Sequence, residues 1–284
     1  MRQGSGAAVV PHAAGDTWEA AIRLDFEARR GRTVLTRRTH RGPLVVQRPF
    51  YPEADVCHVY LLHPPGGIAN GDRLTIEAAA HGGARALITT PAAGKFPRSG
   101  GALAAVCQRL EVRADAALEW LPQENIVFDG ARAQIGTEVA LTIGARFLGW
   151  DMTCLGRPAG GAPFAQGEWR QSLSLTLEGA PILRERLALD GRQRWEAFGR
   201  RDGHTLAAVY AWPAGDAALA AARARLAAGR SCVQAGATAC DGALVCRVLA
   251  DDAQAARETM RDLWSALRPI VIGTPACAPR IWAT

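Results

Sequence analysis

Lysine is nearly missing from this chain: Lys95 is the only one, and every other basic residue apart from histidine is arginine. A general preference for Arg codons accounts for that bias and makes the one retained lysine an oddity. No run approaches the roughly 20 apolar residues needed to span a bilayer. The N-terminal MRQGSGAAVVPHAAGD has neither the apolar core nor the cleavage pattern of a secretory leader. A cytoplasmic protein without membrane attachment is expected. The seven cysteines include no CxxC pair, which argues against both a disulfide framework and a zinc knuckle. Free thiols, mostly buried, are the expectation. There is no HExxH and no GxGxxG opening a helix. AAGKFPRS lacks the upstream Gly and the following Ser or Thr of a phosphate loop, and Ser231 lacks the last Gly of a nucleophile elbow. The usual hydrolytic, redox and nucleotide-binding signatures are therefore not met.

What is present is an ordinary globular composition, 284 residues with 49% hydrophobic and 21% charged, enough to bury a sizeable core. Thirty-three Lys+Arg against 27 Asp+Glu leave a charge of +6, which modestly favours acidic partners. Alternation marks strands: Leu173, Leu175 and Leu177 alternate with Ser172, Ser174 and Thr176, and Val139, Leu141 and Ile143 repeat the pattern. PLVVQRPFY, CHVYLLH, RALITTP and PILRERLAL read as further strands bounded by Gly, Pro or Asp. Helical spacing comes late, in Asp216 to Gly229 and in Asp252 to Arg268. In the second, Ala256, Met260, Leu263, Trp264 and Leu267 share a face, with Asp251 or Asp252 as cap and Pro269 as stop. The spacing thus predicts a mainly β protein with about two α-helices in its C-terminal third. A single domain over 1–284 is expected, with 1–17 disordered, a loop over 156–167 and a C-terminal tail over 269–284.

Three groups of reactive side chains stand out. Cys57 beside His58, with His63 near, offers the parts of a thiolate nucleophile, but adjacent strand residues point to opposite faces, so Cys57 reads as a small core residue. The run RRGRTVLTRRTHRG carries six arginines without interleaved aromatics, which favours solvated strands or a surface meeting an acidic protein over nucleic-acid binding. Carboxylates set among glycines, prolines and apolar residues remain: Asp72, Glu119, Glu124, Asp129, Asp151 and Glu185. Each can close a turn or pair with an Arg. Alternatively, oxygen ligands along a wet interior path would hold a divalent ion weakly enough to pass it on. The residues by themselves leave both readings open.

The words LTRRTHRGPLVVQRPFYPE, CHVYLLHPPGGIANGDRL, TTPAAGKFPRSGG, LEWLPQENIVFDGA, GWDMTCLGRP, RDLWSALRP and PRIWAT stand in this order along the chain. Together they resemble the UreD family of urease accessory proteins over nearly the whole length. The resemblance implies stacked β-sheets in a β-helix-like or sandwich-like arrangement. It also implies a non-catalytic scaffold that joins UreF and UreG to apo-urease and helps deliver Ni(II), held only transiently, through an internal tunnel. No permanent cofactor, nucleic acid or membrane is implied. A pure interaction scaffold that conditions urease without conducting metal is the alternative. Carried onto this sequence, the resemblance makes Asp72, Asp151, Glu185 and His63 the expected metal path, supported by Lys95, Arg186, Gly66, Gly67 and Gly71. Asn70 and Pro97 depart from the family pattern, and Pro97 fixes its own φ beside Lys95. An amphipathic helix followed by an apolar tail makes Leu263, Trp264, Leu267, Arg280, Ile281 and Trp282 an expected surface for a helical partner, with burial inside the chain as the other reading.

Overall fold

The computed structural model describes residues 17–157, 160–191 and 204–283; all but the last residue of the segment 1–17 expected to be disordered, and residues 158–159 of the 156–167 loop, lie outside them. The chain opens on a hairpin, β1 (Glu19–Arg29) and β2 (Arg32–Arg41), which carries the basic run. From there it winds between two sheets. β4 (Cys57–Leu62), β6 (Arg85–Thr89), β9 (Ala117–Leu121) and β12 (Arg146–Leu155) lie parallel in one sheet. β5 (Arg73–Ala80), β8 (Ala104–Val112), β11 (Arg132–Leu141) and β13 (Glu168–Leu177) lie parallel in the other. Each coil gives one strand to each sheet, and the result is a β-solenoid of stacked sheets. Short segments β7 (Gly94–Phe96) and β10 (Asn125–Val127) pair along a third side.

Antiparallel strands finish both sheets. With the β5 sheet taken as the first and the β4 sheet as the second, β14 (Ala180–Asp190) closes the first, whose order is β14-β13-β11-β8-β5-β1-β2. β15 (Thr205–Trp212), β17 (Ala243–Ala250) and β16 (Val233–Cys240) extend the second beyond β12, and β3, reduced to Val45–Val46, ends it at the other side. The strand expected over PLVVQRPFY is therefore mostly lost, since Pro49 has no N–H for a ladder. The alternation was informative elsewhere: Val139, Leu141, Leu173 and Leu175 are buried. Ile143 is not, at 72% exposed, because the strand ends at Leu141 and a turn closed by Ala145 N–H to the Thr142 carbonyl follows.

The core has two layers, one on each face of the second sheet. Phe26, Ile88, Phe96, Phe147 and Trp169 fill the space between sheets. Leu148, Trp150 and Met152 face the helices α1 (Asp216–Ala227) and α2 (Ala253–Val271). In α2 the Asp252 carboxylate accepts from Ala255 N–H at 2.9 Å, capping the first turn as expected. Pro269 does not stop the helix. Val271 and Ile272 are buried and carry it one turn further, until Gly273, at φ +84°, ends it with its N–H on the Arg268 carbonyl. Of the seven free cysteines only Cys57 and Cys246 are fully buried, and Cys232 and Cys240, at the two ends of β16, are exposed.

Candidate functional site

The expected metal path does not fall in one place. Asp72 closes a turn: its carboxylate accepts from Trp18 N–H and from Ala69 N–H, both at 2.9 Å. Gly71 beside it sits at φ +90°, and Asn70 takes φ +51° while its side-chain oxygen accepts from Gly100 N–H at 2.6 Å. His63, Gly66, Gly67 and Lys95 line a separate cavity of about 390 Å³ that also reaches Gln108 and Trp120. Burial lowers the His63 pKa, and the charge of Asp72 opposes the shift. A Cβ at Gly67 would stand 2.9 Å from Pro97 Cδ, so glycine is demanded there, whereas Gly66 meets nothing within 4 Å. The Lys95 side chain is exposed, and its carbonyl anchors the loop by accepting from Ile68 N–H at 2.8 Å.

Asp151 and Glu185 do meet. Both point between the sheets, from β12 and β14, into a cavity of about 710 Å³ lined also by Gln171, Tyr210 and Arg247. Tyr210 O–H donates to Glu185 Oε2 at 3.4 Å, Arg247 pairs with Glu185 Oε1, and Thr153 O–H donates to Gln171 at 2.9 Å. Burial pushes the Asp151 carboxyl up to about 6, against hydrogen bonds from Gln171 and Tyr210 and with a further push from Glu185. Burial, with both carboxylates, also holds the Tyr210 hydroxyl well above its usual value. Arg186, expected beside Glu185 as support, stands on the opposite face of the strand, and Arg247 takes its place. Glu185 shares a register row with Leu173, Thr137 and Gln108, and the last two are hydrogen-bonded at 2.8 Å. That row leads from the His63 cavity to this one. Among the described residues no group of three or more His, Cys, Asp or Glu is arranged to hold a metal ion.

The other face of the second sheet holds a closed ionic cluster. Arg268 of α2, fully buried, donates to Glu119 at 2.9 Å and to Glu53 at 2.5 Å, and also to the Pro275 carbonyl. Trp264 Nε1–H donates to Glu119 at 2.7 Å, and His58 Nε2 lies 2.6 Å from Glu53. Burial would raise the Glu53 pKa, but the bonds from His58 and Arg268 outweigh it and hold the group below its ordinary value. Leu263, Trp264 and Leu267 are buried against the chain's own sheet, and Trp282 packs between Trp150 and Trp264 with ring centroids 5.1 and 5.2 Å away. Arg280 is exposed and Ile281 partly so. Within this region, then, the face open to a partner carries Arg280 and Ile281 rather than the buried side chains.

Burial raises the thiols of Cys57 and Cys154 to about 11, which keeps them protonated near neutral pH. Tyr210, Gln171, Arg247, Glu53 and Arg268 were not foreseen. Two left a trace in the sequence, since Arg247 is the one charge in ALVCRVLA and Arg268 lies next to Leu267 on the apolar stripe of its helix.

Comparison with known proteins places this arrangement. A family model described as UreD urease accessory protein matches residues 19–283. The chain is 47% identical over 274 residues to "Urease accessory protein UreD" of Pseudomonas putida (strain W619), covering 96% of each. It is 45% identical over 280 residues to the protein of that name from Pseudomonas entomophila, covering 97% of this chain and 98% of the relative. The Klebsiella aerogenes protein of that name is 44% identical over 267 residues, 94% of this chain and 97% of the relative.

Proposed function

The chain belongs to the UreD family of urease accessory proteins, and from that premise we propose that it serves urease maturation as a non-catalytic scaffold passing Ni(II) through its intersheet space. The observation that supports conduction is the meeting of Asp151 and Glu185 in one cavity, from strands of different sheets. Nickel is cargo here. Two carboxylates, with the Tyr210 hydroxyl and the Gln171 amide oxygen beside them, are hard oxygen donors that bind a divalent ion without a complete rigid ligand set, so the ion can leave again. Asp151, raised by burial to about 6, is mostly ionised at neutral pH and meets an arriving cation as a carboxylate, while acidification below that value would release the ion. The row from Gln108 and Thr137 to Glu185 supplies polar footing between the two cavities. UreF and UreG are the proposed partners through which the chain meets apo-urease in the cytoplasm.

The test is the nickel content of urease made with the remaining accessory proteins and with this chain wild-type, absent, or carrying Asp151→Asn and Glu185→Gln. Loading that needs the chain and falls in the double variant, with its partners still bound, is the expected result. A second reading, a scaffold that conditions urease while nickel travels elsewhere, draws on the Arg247 pair that already occupies Glu185. It predicts normal nickel in the double variant.

A further inference from the structure

The outer face of the first sheet, turned away from the cavities and the helices, carries a furrow running across its strands. Register places Thr75, Cys107, Gly136 and Ser172 side by side in one row, with Arg186 at its end on β14. These floor residues are small and half-buried. On one side of them the next row raises Arg73, Gln134 and Arg170; on the other it raises Glu77, Arg109 and Glu138. The furrow, of about 480 Å³, is lined by the floor row and by the Arg73, Gln134 and Arg170 row, with Arg186 at its end; Glu77, Arg109 and Glu138 stand outside its lining. From β5 to β14 it crosses four interstrand steps, about 19 Å at the usual strand spacing, the length of about six extended residues.

The charges on the two walls differ. Arg109 bridges Glu77 at 3.3 Å and Glu138 at 3.5 Å, so that row carries no excess of positive charge. Arg170 shares one carboxylate, Glu168, with Arg132, and Asp190 lies across from Glu168 beyond the furrow's rim. Arg73, Arg186 and, one row on, Arg184 make no ion pair among the described residues. Arg73 and the β14 end therefore present positive charge without an ion pair among the described residues, and Arg170 has only a shared carboxylate, over a floor with the Thr75 and Ser172 hydroxyls. No aromatic side chain lies along the furrow to stack a base. We propose that this furrow docks an extended acidic segment of a partner protein, its carboxylates meeting Arg73 at one end and Arg170, Arg184 and Arg186 at the other. By strand alternation these side chains point away from the intersheet space, but Ser172, Arg184 and Arg186 also border the 710 Å³ cavity at the β14 edge, so the test variants leave Asp151 and Glu185 unchanged.

Anisotropy of a labelled hexaglutamate peptide titrated with the chain tests it. Saturable binding is expected, weakened about tenfold by physiological salt relative to low salt. The exposed double variant Arg73→Gln with Arg186→Gln should weaken it by about tenfold as well. Gly136→Leu keeps every arginine but fills the floor. A Cβ there meets nothing closer than Ser172 Oγ at 3.5 Å, so the strand tolerates the change while the furrow closes. Loss of binding in Gly136→Leu supports a shaped site. Wild-type binding in that variant, or no binding by the wild type, overturns the proposal. So does tighter Arg-dependent binding of an oligothymidylate of equal charge, which would make the partner a nucleic acid.

Discussion

The second sheet carries a carboxylate and arginine cluster on each of its faces, and the two are built on opposite terms. Under α2, Arg268 lies between Glu119 and Glu53, Trp264 and His58 supply further hydrogen bonds, and the helix and the Trp282 tail cover the whole. Between the sheets, one largely exposed arginine pairs with Glu185 beside a cavity, and Asp151 has no arginine and is raised by burial to about 6. Residue types are nearly the same on both faces. Filled space and dense pairing, with His58 Nδ1 the one buried polar side-chain atom of the cluster left without a hydrogen bond, make the first cluster structural. Spare donors and room for water or an ion leave the second able to exchange what it holds.

The largest effect expected from this contrast is on stability. Arg268→Ala strands Glu119 and Glu53 without a counter-ion, and removing one partner of a buried pair costs about 3–5 kcal/mol. Arg247→Ala, where the arginine side chain is 57% exposed, should cost about 1 kcal/mol or less because water replaces it. Urea unfolding of the two variants gives the comparison directly, and equal losses would end it.

Asp72 sharpens the contrast from a third position. Its two acceptor bonds to backbone amides tie the Trp18 segment to the turn before β5. Asp72→Ala should cost about 1–2 kcal/mol, since two amides lose their acceptor at a half-solvated site. Nickel loading per folded molecule should stay at the wild-type level. Loading that falls while stability holds would return Asp72 to the metal path.

How far these differences could be read from the sequence follows from the range of the interactions. Strand alternation, the Asp252 cap and the apolar face of α2 are local patterns, and they correctly marked a β-rich body with two late helices. Ile143 and Pro269 misled because the end of an element depends on what the next residues pack against. Asp151 and Glu185 stood out as carboxylates in apolar strands, yet Arg247 lies 62 residues from Glu185, and Arg268 lies 215 from Glu53. No spacing rule reaches that far. The helix residues Leu263, Trp264 and Leu267 and the tail residue Trp282 could be read as a partner surface or as core, because apolar spacing states only that something covers them.

The smallest effect separates Asp151 from Glu53 by the sign of their pH dependence; Glu119, beside Glu53, is raised by burial and shares the sign of Asp151. The folded-state pKa of Asp151, raised to about 6, lies above the ordinary carboxylate value, so the folded chain binds this proton more tightly than the unfolded chain does. Its contribution is fully present below about pH 4 and is lost as pH rises through about 6. Glu53 is held below its ordinary value, so its contribution is present above the ordinary carboxylate range and lost as pH falls through the folded value. Asp151→Asn should therefore flatten the decline in stability between about pH 4 and 6, by about 1–2 kcal/mol once the water in the cavity is allowed for. The acid limb that belongs to Glu53 should stay unchanged. Urea midpoints across that range for wild type and variant are the measurement. A decline that survives in Asp151→Asn would mean that another group carries it and that water in the cavity keeps Asp151 near the ordinary carboxylate value.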